Sequence, residues 1–220
     1  MVRDGLYYAG GFLCAAAFLV WLAGWPYAVP AAALAAFFLW FFRDPERAIP
    51  EAHGAIVSPA DGKVTSIGEC ELEGKRYTRI SIFLNVFDVH VNRSPASGVI
   101  RGVEYRRGRF RNAMAGDSSD TNEQNVVALE ADGHIIIFKQ IAGLLARRIV
   151  FTPKAGDHVL RGQRVGLIKF GSRVDVLLPV DAALAIQSGE RVQGGVTLVA
   201  HLGTLREGPQ ALEQAGKSTQ

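Results

Sequence analysis

The chain has 220 residues, of which 49% are hydrophobic, and 24 basic against 21 acidic residues give a formal net charge of +3. The length suits one globular domain with an appendage, and the hydrophobic fraction is high for a fully soluble protein. With only Cys14 and Cys70, the sequence excludes a disulfide framework and a cysteine-rich metal site.

The chain opens with a charge-free run of 38 residues, from Gly5 to Phe42. This is nearly twice the roughly 20 residues that cross a bilayer as one helix. Because Pro26 and Pro30 interrupt it, we predict two short helices over about 6–24 and 30–42. They either span the membrane or enter it and return as a hairpin. A secretory signal has a shorter apolar core and a cleavage site, so a retained anchor over 1–47 is favoured.

Charges flank this run on both sides. Arg3 precedes it and Arg43 and Arg47 follow it, which places both ends in the cytoplasm by the positive-inside rule. The domain over 48–205 is then cytoplasmic. The basic stretch 101–111, "RGVEYRRGRFR", is either a contact for anionic lipid headgroups or a solvated loop.

After the anchor, short apolar runs alternate with Gly, Pro, Asp and Asn, which predicts a mainly β domain. Asp132-Gly133 is typical of a hairpin turn. "GDHVLRG" at 156–162 and "GERVQGG" at 189–195 are similar turns, and they indicate a compact barrel-sandwich-like domain with pseudo-symmetric halves. Chance similarity is the alternative. The polar segment 206–220 is predicted to be a disordered tail.

Three stretches contain candidate chemistry. Asp61 in "SPADGKV" is either a turn former or a functional carboxylate. His90 in "NVFDVHVNRSP" follows an apolar strand and, by strict alternation, shares a face with Asp88 and Asn92. In "IKFGSRVDVLLP", Gly171 and Ser172 interrupt what is otherwise a strand, where packing side chains are expected.

Five motifs in this order resemble the short (type A) form of the phosphatidylserine decarboxylase proenzymes, over about residues 37–202: "FFRDPER", "SPADGKV", "FLNVFDVHVNRSP", "ARRIV" and "GLIKFGSRVDVLLP". The resemblance implies self-cleavage between Gly171 and Ser172. Ser172 then becomes a covalent pyruvoyl cofactor that forms a Schiff base with the substrate, and the pieces 1–171 and 172–220 form a heterodimer.

The resemblance also offers Asp61 and His90 as catalytic residues. A serine nucleophile needs a base that a third group orients. Longer family members carry a second histidine three positions after the one that matches His90, and this chain has Arg93 there. His90 therefore serves both cleavage and decarboxylation, or another group replaces the missing base. Arg147 and Arg148 are candidates for a carboxylate or phosphate, or for structural ion pairs.

The implied activity is decarboxylation of phosphatidylserine to phosphatidylethanolamine at the cytoplasmic side of a bacterial inner membrane, with membrane lipid and no nucleic acid as partner. Two alternatives stay open. A membrane-tethered barrel-sandwich adaptor without enzymatic activity explains the anchor and the strands, but leaves Gly171-Ser172 without a purpose. A lipoyl or biotinyl carrier needs an exposed lysine at a hairpin tip, and Lys169, the nearest candidate, lies in an apolar strand.

Overall fold

A computed structural model describes residues 2–111, 118–144, 148–169 and 171–203. The expected tail over 206–220 and the candidate Arg147 lie outside the described residues.

The N-terminal segment is an antiparallel helical hairpin of α1 (Arg3–Ala23) and α2 (Trp25–Phe41). The break comes at Gly24, whose φ of 101° suits glycine, so the second helix starts earlier than the prolines predicted. Pro26 lies in the first turn, where a missing N–H costs nothing, and Pro30 lies inside the helix. By length and composition α1 can cross a membrane, whereas α2 is a shorter apolar helix.

The two ends of the hairpin lie side by side. The Val2 N–H donates to the Phe42 carbonyl at 3.1 Å, and a Cβ on Gly5 would lie 2.6 Å from the Phe42 Cβ. The helices pack through Tyr8, whose ring centroid lies 5.1 Å from that of Phe38. Arg3 and Arg43 are therefore at the same end, as a hairpin that returns to its starting side requires.

The remainder is built of short strands, with one four-residue helix, α3 (Ser118–Thr121). The strands are β1 (Ala55–Val57), β2 (Gly62–Leu72), β3 (Lys75–Leu84), β4 (Val91–Arg93), β5 (Gly98–Arg106), β6 (Gln124–Ala131), β7 (His134–Ala142), β8 (Ile149–Phe151), β9 (His158–Val159), β10 (Arg164–Ile168), β11 (Ser172–Pro179), β12 (Ala183–Leu184), β13 (Arg191–Val192) and β14 (Leu198–His201).

The largest sheet has the order β13-β2-β3-β11-β7-β6-β5-β9, and two three-stranded sheets, β1-β14-β12 and β4-β10-β8, accompany it. The predicted mainly β fold class with an N-terminal helical hairpin is confirmed, and the large sheet curls into a half-barrel. The hairpin at Asp132-Gly133 is also present: both residues have positive φ, 48° and 76°, and they join β6 to β7.

The sheet order contains two equivalent halves. One is continuous from β4 to β10, and the other consists of β1–β3 and β11–β14, with the first half inserted between β3 and β11. The two similar turns lead into β9 and β13, which occupy opposite edges of the large sheet. Gly156 and Gly189 have similar φ values of 94° and 97°. The predicted pseudo-symmetry therefore has a structural basis, and β11 begins where the chain leaves the inserted half.

The core lies against one face of the large sheet. Alternate residues of β11, Val176 and Leu178, join the main apolar cluster, while Val174 joins a smaller one with Leu84, Ala142 and Ile168. Full burial of each such side chain contributes about 1.5–3 kcal/mol. On the other face Arg173 is buried and donates two hydrogen bonds to Asp175, at 2.6 and 3.0 Å. This bidentate pair fixes the orientation of the Arg173 and Asp175 side chains near the start of β11.

The strand alternation predicted around His90 was wrong. β3 ends at Leu84, and a turn follows over Asn85–Asp88. The Asp88 carboxylate accepts from the Asn85 N–H at 2.9 Å, and the Asn85 side chain accepts from the Phe87 N–H at 2.7 Å. Strict alternation therefore does not describe His90, which lies between this turn and β4.

Candidate active site

Gly171 and Ser172 lie where the chain passes from β10 in a small sheet to β11 in the large one. Gly171 has φ of 61°, a conformation that glycine adopts without strain. Ser172 is the first residue of β11, and it pairs with Leu84 on β3 and Ala142 on β7. The interruption noticed in the sequence thus coincides with the passage from one sheet to another, at the start of a central strand.

The Ser172 hydroxyl is buried and has no hydrogen-bond partner among the described residues. Leaving a buried hydroxyl unpaired costs about 1–3 kcal/mol, so such groups are rare and need an explanation. A nucleophile offers one, because its oxygen must be free to approach a carbonyl carbon. Within the described ranges, no group of three His, Cys, Asp or Glu side chains is placed to hold a metal ion.

His90 is buried beside Gly171, the first residue of the Gly171–Ser172 bond. Its Nδ1 lies 2.9 Å from the Asp88 carbonyl, which can only accept, so Nδ1 carries the proton. Nε2 then carries the lone pair of the ring, which accepts the Gly171 N–H at 3.3 Å. The imidazole therefore faces Gly171, whose carbonyl carbon forms the peptide bond to Ser172.

Burial lowers the pKa of His90 from its usual 6.5 to about 4. The hydrogen bond to Asp88 and the charge of Asp88 oppose this shift, while the charge of Arg43 adds to it. His90 is consequently neutral at pH 7 and can accept a proton.

The helical hairpin supplies much of this burial. The ring centroid of Phe41 lies 4.4 Å from that of His90. Phe41 and Phe42 are almost fully buried and pack with Leu167 of β10. The end of the predicted anchor is thus part of the site, a role that the sequence analysis missed. The sequence offers no signal for this role, because Phe41 is one apolar residue in an apolar run.

Asp61 has hydrogen-bond partners outside this group. Its Oδ2 accepts from Arg47 at 2.8 Å, and its Oδ1 accepts from the Gly194 N–H at 2.7 Å. Burial raises the pKa of Asp61, and the hydrogen bond from Gly194 and the charge of Arg47 act in the opposite direction. None of its hydrogen bonds within the described chain reaches His90 or Ser172, so its catalytic role stays a prediction.

The arginine in place of a second histidine joins the linker to the domain. Arg93 donates to Asp44 at 2.9 Å, to the Pro45 carbonyl at 3.0 Å and to the Gly162 carbonyl at 3.0 Å. These contacts direct the side chain towards the linker after α2, and none of them reaches Gly171 or Ser172. The geometry indicates a structural role for Arg93 and leaves His90 as the histidine in contact with the Gly-Ser segment.

We expect Arg93→Met to lower the free energy of unfolding by about 1–3 kcal/mol, because it removes a buried ion pair, leaves two carbonyls without their donor and leaves the Asp44 carboxylate with Arg164 as its remaining partner. Urea unfolding of detergent-solubilised protein measures the change. Arg101→Met is the matched control, since its partner Glu130 is on the exposed surface and the midpoint should stay nearly unchanged. An Arg93→Met protein as stable as its parent would contradict the structural role.

The other candidates have different surroundings. Arg148 is exposed, and its carbonyl accepts from the Lys169 N–H at 3.2 Å. Lys169 is buried, and its Nζ lies 3.2 Å from a carboxylate oxygen of Asp4. A carrier domain needs an exposed lysine, and Lys169 does not provide one.

Comparison with known proteins agrees with this geometry. Residues 34–200 match the family model described as phosphatidylserine decarboxylase. A phosphatidylserine decarboxylase proenzyme of Solibacter usitatus is 52% identical over 200 residues, covering 91% of this chain and 96% of that protein. Another, of Symbiobacterium thermophilum, is 45% identical over 206 residues, covering 92% and 95%. The chain therefore belongs to the phosphatidylserine decarboxylase family.

Proposed function

We propose that this decarboxylase is made as a proenzyme that cuts itself between Gly171 and Ser172, and that it converts phosphatidylserine to phosphatidylethanolamine. The observation that carries the proposal is the buried Ser172 hydroxyl without a described partner, next to a glycine of positive φ and a neutral histidine. Neither a carrier nor an adaptor has a use for this combination.

Self-cleavage needs only groups of this chain and water. Ser172 Oγ attacks the Gly171 carbonyl carbon, the peptide C–N bond breaks, and an ester joins the two residues while the Ser172 nitrogen takes up a proton. Loss of the Ser172 α-proton then expels the Gly171 carboxylate and leaves dehydroalanine. Hydrolysis of dehydroalanine, through its imine tautomer, releases ammonia and leaves the pyruvoyl group as the blocked start of the small piece.

His90 is suited to the proton transfers of this sequence. The hydroxyl is a weak nucleophile at neutral pH and needs a base. His90 is neutral, its tautomer is fixed by the Asp88 carbonyl, and its Nε2 lies at the amide of the residue that is attacked. We assign to it the proton of Ser172 during maturation and a proton donation to the product during turnover.

The residues around position 172 fit a cofactor made in place. A pyruvoyl group supplies a ketone that reacts with an amine, and a conjugated amide that accepts electrons when CO₂ leaves. After cleavage, β11 would stay between β3 and β7, both from the 1–171 piece. Arg173 also donates to Ser81 Oγ at 2.8 Å across the two pieces. The heterodimer is thus held by continuous sheet pairing.

The hairpin suits an enzyme whose substrate stays in the bilayer. An anchored domain meets the lipid at a high effective concentration. With Arg3, Arg43 and Arg47 flanking the apolar run, we place the domain on the cytoplasmic side of the inner membrane, as expected for a bacterial protein.

The intact mass of the purified protein tests the proposal. We expect two pieces, 1–171 and 172–220, of which the smaller resists Edman sequencing and reacts with carbonyl reagents. The preparation should release CO₂ from phosphatidylserine in mixed micelles. A single uncut chain that releases CO₂ would contradict the pyruvoyl mechanism, and an uncut, inactive chain would favour the adaptor.

A further inference from the structure

Arg43 is the first charged residue after the apolar hairpin, and it lies at the entrance to the site. Together with Phe41, Phe42 and His90 it lines a narrow crevice between the hairpin and the domain. Its charge is close enough to His90 to contribute to the lowered pKa of that histidine. A cation is therefore placed where the apolar helices end and the candidate active site begins.

The Arg43 guanidinium is held in a fixed orientation. It donates to the Phe87 carbonyl at 2.6 Å and to the Trp40 carbonyl at 3.0 Å, and its central carbon lies 4.4 Å from the centroid of a Trp40 ring. A guanidinium has five N–H donors, so these two bonds leave three for another acceptor. The group is preorganised without being saturated.

Arg43 also has no carboxylate within 4.0 Å among the described residues, unlike several arginines nearby. Arg47 is paired with Asp61, and the adjacent acid, Asp44, is already paired with Arg93 and Arg164. The charge is thus available to an anion that is not part of the described protein.

We propose that Arg43 binds the anionic part of the lipid headgroup and so orients the substrate over His90 and Ser172. The ligand is a phosphodiester or a carboxylate oxygen pair, since a guanidinium fork matches both. The position agrees with the depth of a headgroup, because Arg43 follows the last turn of α2 and Phe87 beside it is an exposed aromatic residue. This inference rests on the proposed function.

Arg43→Gln should raise KM for phosphatidylserine in mixed micelles about tenfold or more, because it removes charge-assisted hydrogen bonds to the substrate. Once rates are divided by the fraction of processed chain, the loss in kcat should be smaller than the rise in KM, because Arg43 holds the headgroup and does not touch the reacting atoms. Arg3→Gln is the matched control: Arg3 is exposed at the same end of the hairpin but does not line the crevice. It should change KM by less than about twofold. Arg43→Lys keeps the charge without the fork and should be intermediate.

A binding experiment separates this inference from the proposed function. Ser172→Ala protein, which needs no cofactor, is titrated with dihexanoyl phosphatidylserine and dihexanoyl phosphatidylethanolamine. Binding is followed by the fluorescence of the three tryptophans, of which Trp40 contacts the Arg43 guanidinium. If Arg43→Gln in this background weakens both lipids, Arg43 binds the phosphodiester; if it weakens only phosphatidylserine, it binds the carboxylate. Unchanged affinity and KM in Arg43→Gln, or an equal loss in Arg3→Gln, would overturn the inference. A parent that binds both lipids but never decarboxylates would overturn only the function.

Discussion

Replacing Ser172 with alanine should leave the chain uncut and abolish decarboxylation, while the fold becomes no less stable. On the proposed mechanism, the substitution removes the nucleophile and the source of the pyruvoyl group. It also removes a buried hydroxyl that has no described partner, so the free energy of unfolding should stay equal to that of the uncut parent or rise by about 1–3 kcal/mol. Intact mass and urea unfolding measure the two effects.

Ser94→Ala is the matched control for this prediction. Ser94 is equally buried, but its hydroxyl donates to the Ala96 carbonyl at 2.8 Å. Its loss should cost about 0.5–1.5 kcal/mol and leave self-cleavage intact. Two fragments from Ser172→Ala would show that the scissile bond is misplaced. A Ser172→Ala protein less stable than the uncut parent precursor would show that the Ser172 hydroxyl has a stabilising partner.

The local features of the fold, which depend on residues adjacent in sequence, were predictable. Asp132-Gly133 adopts positive φ at both positions, which few other residue pairs accept, so the hairpin was determined locally. Gly156 and Gly189, which begin the turns before β9 and β13, likewise have positive φ, a conformation that favours glycine. Sheet order was not predictable in this way. β11 pairs with β3, about 90 residues earlier in the chain, and no local pattern specifies that partner.

The sequence offered candidate residues for the site but not their arrangement. Gly171 and Ser172 stood out because they contradict the strand around them. Phe41 did not, since an apolar residue in an apolar run carries no sign of the imidazole that it covers. The Asn85–Asp88 turn was also missed, because its capping hydrogen bonds interrupt residues that otherwise alternate like a strand.

His90, the histidine that contacts Gly171, gives the second prediction with a large expected effect. His90→Ala should slow self-cleavage about a hundredfold to ten-thousandfold, the usual contribution of general acid–base help, so that precursor accumulates. Added imidazole should restore part of the rate. His158→Ala, at an exposed strand residue, is the control and should mature normally. Pulse-chase mass analysis of the precursor gives the rates.

The pH dependence of maturation tests the environment of His90 as well as its role. Because the pKa of His90 is lowered to about 4, its neutral form is nearly complete throughout pH 6–8, and the cleavage rate of the parent should be flat there. A base with the ordinary pKa of about 6.5 would fall to about a quarter of its rate at pH 6.

In the unfolded chain His90 takes up its proton near pH 6.5, so its contribution to stability is complete above that pH and is lost as the pH falls towards 4. Cleavage of His90→Ala within about threefold of the parent, against that expectation, would make His90 a structural residue.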